Sequence, residues 1–453
     1  MAGAHGSAGY VSVSRGEDGY EDARRAALWN ARLPDRHPDV IAAPSDEAGV
    51  VEAVRAARAA GLRIAVKSGG HSWPGAPLRD GGMLIDLRRL SAFSIDQEAG
   101  RIATQPAVTV RDLAAALADA GLGFPTGACP SVCVGGYLLA GGWGWNSKGW
   151  GPACHRVEAI DVVTADGELL RADAERHADL LWAARGAGPG FPGVVTRFHL
   201  RAFPAPLLAT TEYSFEARHI GEVVGWLAEH GDELPPCLQE AMKLAWPAGG
   251  GDAPVLSLAA LAFARSREEA ADALDWLDAT PIARLADSKV RHLDSSFAEL
   301  YCATESGYPE GRRYAADTLW SDRDPVAIVT RLARLLAQAP SRASFLTVVF
   351  HRGGLPAAPP PGATLSMRGR LFVGCYGLWE RELDDEANLA WVERLMRAME
   401  PDAVGHYVGE MDLRRWHASR AYAPEQWRRL RELRTRVDPD GRFHDYLEPA
   451  EAP

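Results

Sequence analysis

Two short stretches of this chain combine a nucleophilic side chain with paired glycines. In the first, Ile64-Ala-Val-Lys-Ser-Gly-Gly-His-Ser-Trp73, an apolar strand-like run empties into Lys67-Ser68-Gly69-Gly70-His71-Ser72. Adjacent glycines let a backbone take positive φ and come close to an anion, so successive N–H groups can form a nest for a phosphate, with Lys67 nearby to offset its charge. His71, at the rim, is the group left over for chemistry; a plain tight turn with a solvated histidine accounts for the same residues. The second stretch, Gly127-Ala-Cys-Pro-Ser-Val-Cys-Val-Gly-Gly-Tyr-Leu-Leu-Ala-Gly-Gly-Trp-Gly-Trp145, follows about sixty residues on. Glycine pairs recur there at Gly135-Gly136 and Gly141-Gly142, with Gly144 after them, in a setting too rich in aromatic and aliphatic residues for a flexible linker. Something flat and large is expected against that backbone. Its Cys129 is either a nucleophile toward that group or a small buried hydrophobe. Cys129 and Cys133 form a lone C-x-x-x-C, and without a second Cys or His pair at ligand spacing a metal ranks below an organic ligand.

Together the two stretches resemble the flavin-binding domain of the vanillyl-alcohol-oxidase (PCMH-type) superfamily, most closely its berberine-bridge-enzyme-like branch. In that branch "S-G-G-H" carries the histidine bonded to the 8α-methyl of FAD, and "C-P-T-V-x-x-G-G" the cysteine bonded to C6 of the same ring. His71 matches the first; Cys129, in Cys129-Pro130-Ser131-Val132, matches the second. The resemblance implies a cradle for FAD from Lys67, Ser68, Gly69, Gly70 and Ser72 on one side. From the other come Gly127, Val132, Gly135, Gly136, Tyr137, Gly141, Gly142 and Gly144. The segment from Leu181 to Thr196 is similar to "W-A-L-R-G-G-G-G-x-F-G-V-V-T", whose backbone lies along the dinucleotide, and so adds Gly193, Val194 and Val195. Pro189 and Pro192 make that loop stiffer than an all-glycine version. Near the C-terminus, Gly405 to Asp412 occupies the place of "Y-x-N-Y-x-D", and Trp427 to Phe443 resembles the closing helix and "D-P-x-x-x-F".

What the resemblance implies is an FAD-dependent oxidase, its flavin held covalently through His71 and Cys129, acting on a small alcohol, sugar or secondary-metabolite substrate. A base removes a proton, hydride passes to flavin N5, and O2 is reduced to H2O2. Gly127, small where related dehydrogenases tend to be bulkier, leans toward oxygen as acceptor. The base falls on Glu410, which stands where the family often has tyrosine, or it is only a surface carboxylate on a strand end. Tyr407 keeps the motif's first position, Gly409 replaces its asparagine, and Tyr376 is a further pocket candidate. Tyr137 stands where the family commonly has histidine, which puts the usual ribityl contact in doubt. The competing readings are a dehydrogenase that hands electrons to another acceptor, and a catalytically silent binding protein on the same scaffold.

The elements that position these residues follow from pattern. Pro38 to Pro44 offers a short strand; Ser45-Asp46-Glu47 starts a helix whose Val50, Val51, Val54 and Ala57 space an apolar face until Gly61. Strand, helix and strand then end in the Gly-Gly-His turn. Residues 81–87 and 101–104 read as strands, Val108 to Leu122 as a helix, and residues 159–170 as a hairpin about Asp166-Gly167. From about Pro204, strand-like runs at 209–214, 344–350 and 370–373 alternate with amphipathic helices at 267–277, 325–337 and 386–399. The expected architecture is α+β: a two-subdomain FAD-binding domain over residues 1–204, an α+β substrate domain with an antiparallel sheet covered by helices over 205–404, and a return to the first domain over 405–453. The Pro356 to Pro361 run reads as a surface loop.

The chain's 453 residues, 47% hydrophobic, are more than one core usually holds. A net charge of −11 with no basic run disfavours nucleic acid and anionic membranes, and no apolar run approaches the length of a span. Six scattered cysteines argue against a disulfide framework. A cytoplasmic enzyme, monomer or homodimer, meeting only a small substrate and O2 is the expectation.

Overall fold

Helix Glu47–Ala59 forms where its sequence starts and stops it. The Asp46 carboxylate accepts the N–H of Gly49 at 2.8 Å, Glu47 sits in the first turn, and Gly61 leaves it with a φ of +68°. Val50, Ala53, Val54 and Ala57 are buried on one stripe, against the strands Val40–Pro44 and Met83–Asp86. Burying a valine of this kind stabilises by about 1.5–3 kcal/mol. The computed structural model describes residues 9–247, 249–351 and 362–448, so the proline run at 356–361 lies outside the described residues.

Three principal sheets carry the chain. The first is four-stranded, ordered Tyr10–Ser14, Val40–Pro44, Met83–Asp86, Ile64–Lys67, parallel except for its outer strand Tyr10–Ser14. The second is five-stranded and antiparallel, ordered Phe93–Asp96, Arg101–Thr104, Val194–Arg201, Val157–Val163, Leu169–Ala172. The third is an eight-stranded antiparallel sheet with Leu207–Phe215, Val255–Ala264, Leu238–Ala245, Phe345–Phe350, Leu371–Trp379 and Arg313–Ser321 at its centre. Helices Ile220–His230, Arg267–Asp278, Pro325–Leu336 and Asp385–Met399 cover one face of it and bury a single large apolar cluster. The other face looks back toward the first two sheets. The architecture is therefore α+β, with two small sheets facing one large helix-covered one.

Residues 9–37, ahead of the first strand expected from pattern, also hold regular structure. Tyr10–Ser14 pairs along its whole length with Val40–Pro44, and in helix Tyr20–Arg25 the Tyr20 hydroxyl donates to the Pro38 carbonyl at 2.6 Å. Five alternating residues hold as a strand only because a partner edge is there to receive them. The C-terminal segment docks on the first sheet: Ile64 N–H donates to Arg442 O at 2.7 Å, His444 N–H donates to Ile64 O at 2.8 Å, and Phe443 is buried in that sheet's core.

Candidate functional site

The strand Ile64–Lys67 delivers its turn against a surface no local pattern predicts. Gly70 has φ +80°, and a Cβ there would come within 2.5 Å of the Ala27 carbonyl oxygen. Trp29 N–H donates to Gly70 O at 3.1 Å, and its indole stacks on the His71 imidazole, centroids 4.6 Å apart. Gly69 serves a different purpose: a Cβ there would lie 2.8 Å from Cys133 Sγ. So of the two glycines one supplies positive φ and the other makes room for a thiol of the second stretch.

The two stretches meet. Gly136 N–H donates to Ser68 Oγ at 3.2 Å, and Gly135 packs on Pro106 and Ser68 with no space for a Cβ. His71 and Cys129 line one cavity of about 880 Å³ between the two small sheets and the bare face of the large one. Of the other cradle residues, Lys67, Ser68, Gly69, Gly70, Ser72, Gly127, Val132, Gly135, Gly136, Tyr137, Gly144, Gly193 and Val195 line it too. Gly141, Gly142 and Val194 do not; Val194 is buried in the core of the first sheet. Ser72 Oγ accepts from Ala76 N–H at 3.0 Å and so braces the turn.

One expectation meets a different arrangement. The ammonium of Lys67 is 3.0 Å from the wholly buried Asp86, which also pairs with Arg88, so its charge already has a protein partner. The ring of Tyr137 packs on the second glycine stretch from within the chain. A Cβ at Gly127 would lie 3.1 Å from that ring and one at Gly142 2.8 Å, and the Tyr137 hydroxyl donates to Pro125 O at 2.7 Å. Glycine at 127 is thus explained by packing against Tyr137, whatever its relation to oxygen.

The chemistry at the nucleophiles is set by burial. Desolvation lowers the His71 pKa to about 4, against a smaller opposing contact from the Ser131 backbone, so the imidazole is neutral at pH 7. Its Nε2 is buried with no hydrogen-bond partner. An orphaned, uncharged ring nitrogen on a cavity wall is the group an electrophilic ring would find. Burial raises both thiols, Cys133 up to about 11, and Cys133 Sγ is further occupied by the Ala107 carbonyl at 3.3 Å. The Cys129 loop is clamped from the large-sheet side by helix Phe297–Glu305: Thr304 Oγ1 donates to Ala128 O at 2.8 Å, and Tyr301 donates to Thr126 Oγ1 at 2.7 Å.

Across the cavity, the turn Tyr407 to Glu410 closes with Glu410 N–H donating to Tyr407 O at 3.0 Å. A Cβ at Gly409 would lie 2.7 Å from the Tyr407 ring, which is why the motif's third position is glycine here. The Tyr407 hydroxyl accepts the buried Gly142 N–H at 3.0 Å, tying this turn to the second glycine stretch. Tyr407→Phe removes that acceptor and is expected to lower unfolding free energy by about 1–3 kcal/mol, read by denaturant titration. Tyr376, on strand Leu371–Trp379, donates to Glu410 Oε2 at 2.5 Å. Tyr308 reaches the same point, its ring edge-on to that of Tyr376 with centroids 5.5 Å apart. Burial raises the Glu410 pKa, and the Tyr376 hydrogen bond partly offsets this. Burial keeps both phenols protonated far above neutral pH.

Sequence reasoning missed Tyr308, Trp29 and Lys243, all brought to the site by long-range packing. The only local signal was the Gly307-Tyr-Pro309 turn that follows a helix.

Residues 38–173 match the model of the FAD binding domain family. The FAD-linked oxidoreductase nodO of Hypoxylon pulicicidum is 31% identical over 404 residues, 86% of either chain. This chain belongs to the FAD-linked oxidoreductases. Another relative of this oxidoreductase, the xylooligosaccharide oxidase of Thermothelomyces thermophilus, is 28% identical over 94% of this chain and 90% of its own. A structure of berberine bridge enzyme superposes with a TM-score of 0.83 at 20% identity, over 98% of this chain and 97% of that one. The FAD-linked oxidoreductase therefore has the fold seen in berberine bridge enzyme, with FAD as its cofactor.

FAD fits the residues present, since the unpartnered His71 Nε2 and the glycine-lined turns face one large cavity. Among the described residues no cluster of His, Cys, Asp and Glu could hold a metal ion, and no helix is long and apolar enough to cross a membrane. None of the six cysteines is in a disulfide.

Proposed function

We propose that this oxidoreductase is an oxidase with covalently bound FAD that oxidises the alcohol carbon of a small hydroxylated substrate and reduces O2 to H2O2. The observation that carries the reading is the convergence of an unpartnered His71 nitrogen, the Cys129 thiol and the Tyr376-supported Glu410 on one cavity. Bound FAD supplies a two-electron acceptor for hydride at N5 and returns the electrons to oxygen. His71 provides a neutral imidazole for attachment at the 8α-methyl. Cys129 provides the second attachment, since Cys133 is held to Ala107 and has the more strongly opposed thiolate. Glu410 takes the substrate hydroxyl proton, with Tyr376 holding the carboxylate in place and Tyr308 behind it. Gly193 and Val195, on the cavity wall, would hold the dinucleotide, and Tyr407 braces the site. The xylooligosaccharide oxidase among the relatives favours a sugar or similar polyol as substrate.

Acid precipitation followed by mass spectrometry of tryptic peptides tests the attachment. The expected result is a yellow pellet with flavin on the peptides of both His71 and Cys129, reduced to one linkage in His71→Ala and to none in the variant lacking both. A colourless pellet with all flavin in the supernatant rejects covalent attachment. Anaerobic bleaching by sugars and alcohols, then peroxide release on admitting air, tests the reaction itself.

A further inference from the structure

A second cavity, of about 700 Å³, adjoins the first, and Lys243, Ser306, Gly307 and Phe345 line both. Lys243 therefore stands at the doorway between them. It belongs to strand Leu238–Ala245, where Gln239, Ala241 and Lys243 line the first cavity. Its ammonium lies 4.3 Å over the Phe345 ring, and Phe345 stacks on Tyr376, the residue that holds Glu410. The doorway is thus one aromatic ring away from the proposed base.

The cations of this outer cavity fall into two kinds. Arg312 is neutralised by Glu380 at 2.7 Å and Arg381 by Asp384 at 2.9 Å. Lys243 and Arg342 have no carboxylate within ion-pair distance among the described residues; the charge felt at Lys243 is that of the more distant Glu212 on strand Leu207–Phe215. Arg342 instead lies 4.4 Å over the Trp246 ring, with one N–H donated to Gly251 O. In the same wall, Trp246 Nε1 and Asn388 Oδ1 are buried without hydrogen-bond partners, and Asn388 is only 1% exposed. Unsatisfied buried polar atoms ask for a ligand that both accepts and donates. In a chain of net charge −11, two unneutralised cations around one cavity are a local reversal of the field. Burial also disfavours the charged form of Lys243, which a nearby oxyanion would restore.

We propose that the outer cavity is a substrate subsite for the acidic end of a polyhydroxylated substrate, a uronic acid or similar hydroxy acid, whose carboxylate lies between Lys243 and Arg342 while its other end reaches Glu410. Substrate hydroxyls meet Trp246 Nε1 and Asn388 Oδ1. The inference rests on the function proposed above and narrows it to acidic substrates.

The test uses flavin-loaded protein and two sugars of equal size, cellobiose and cellobiouronic acid. Binding is read by tryptophan fluorescence and by perturbation of the flavin spectrum, independently of turnover. The wild type is expected to bind the acid about tenfold more tightly, as one charge-assisted contact implies. Lys243→Met keeps the aliphatic stem on Phe345, and Arg342 is exposed, so neither Lys243→Met nor Arg342→Gln should unfold the chain. Each is expected to erase most of the preference, and Arg342→Gln, outside the first cavity, to leave cellobiose binding unchanged. Equal affinity for the two sugars, or a preference untouched by both substitutions, overturns the subsite. Flavin that no alcohol or sugar can bleach, with the acid preference intact, rejects the oxidase reading instead.

Discussion

Glu410→Gln lowers the rate of anaerobic flavin reduction by about 10²–10⁴-fold, the range removed with a positioned general base, while flavin content stays unchanged. The substitution keeps the shape of the side chain and the hydrogen bond from Tyr376, and removes only the capacity to take a proton. Stopped-flow bleaching at saturating substrate measures it directly. Glu410→Asp, which keeps the carboxylate but withdraws it from Tyr376, should recover part of the loss. An unaltered rate in the glutamine variant would move the base elsewhere, with Tyr376 and Tyr308 the next groups to test.

In Tyr376→Phe the acidic limb of the pH profile moves upward by about 1–2 units, because a hydrogen bond to a charged group is worth about 1.5–3 kcal/mol and 1.36 kcal/mol is one unit. The sign follows from the roles. Burial raises the Glu410 pKa and the Tyr376 hydroxyl holds it down, so deleting the hydroxyl leaves burial unopposed. A base works only when deprotonated, so activity falls as pH drops through its pKa, and in the variant that fall starts at higher pH. Below the limb the loss is about ten- to a hundredfold; well above it the rates converge. A merely structural Tyr376 would depress the rate equally at every pH. Tyr308→Phe, which keeps the edge-on ring against Tyr376, should shift the limb by less.

The acidic-end reading and the base reading are separable by these measurements, because among the described residues Lys243 and Arg342 form no hydrogen bond or ion pair with Glu410, His71 or Cys129. Loss of acid preference with a normal pH profile isolates the outer cavity, and a shifted profile with normal binding isolates the Glu410 pair.

Much of the site was legible from local pattern. Ser68, Gly69, Gly70 and His71 are neighbours in the chain, and a strand that ends in two glycines must turn there whatever surrounds it. The helix Glu47–Ala59 likewise carries its own cap and stripe. What pattern could not show is which of the chain's own side chains also pack on the glycine surfaces: a Cβ at Gly69 would meet Cys133, and one at Gly127 or Gly142 would meet Tyr137. Lys67 was read as offsetting an anion's charge, and local pattern could not show its partner Asp86, which sits on the adjoining parallel strand.

By itself the sequence determined the chemistry available: one histidine and one cysteine in glycine-lined turns, a glutamate after Tyr-x-Gly, and helices and strands of an α+β chain. Only the tertiary structure decided which of these groups share a cavity, and how each is tuned. Desolvation and hydrogen bonding act through space, so a neutral His71 on Trp29, a Cys133 tied to Ala107 and a Glu410 held by Tyr376 depend on residues dozens of positions away, whose approach no local period encodes.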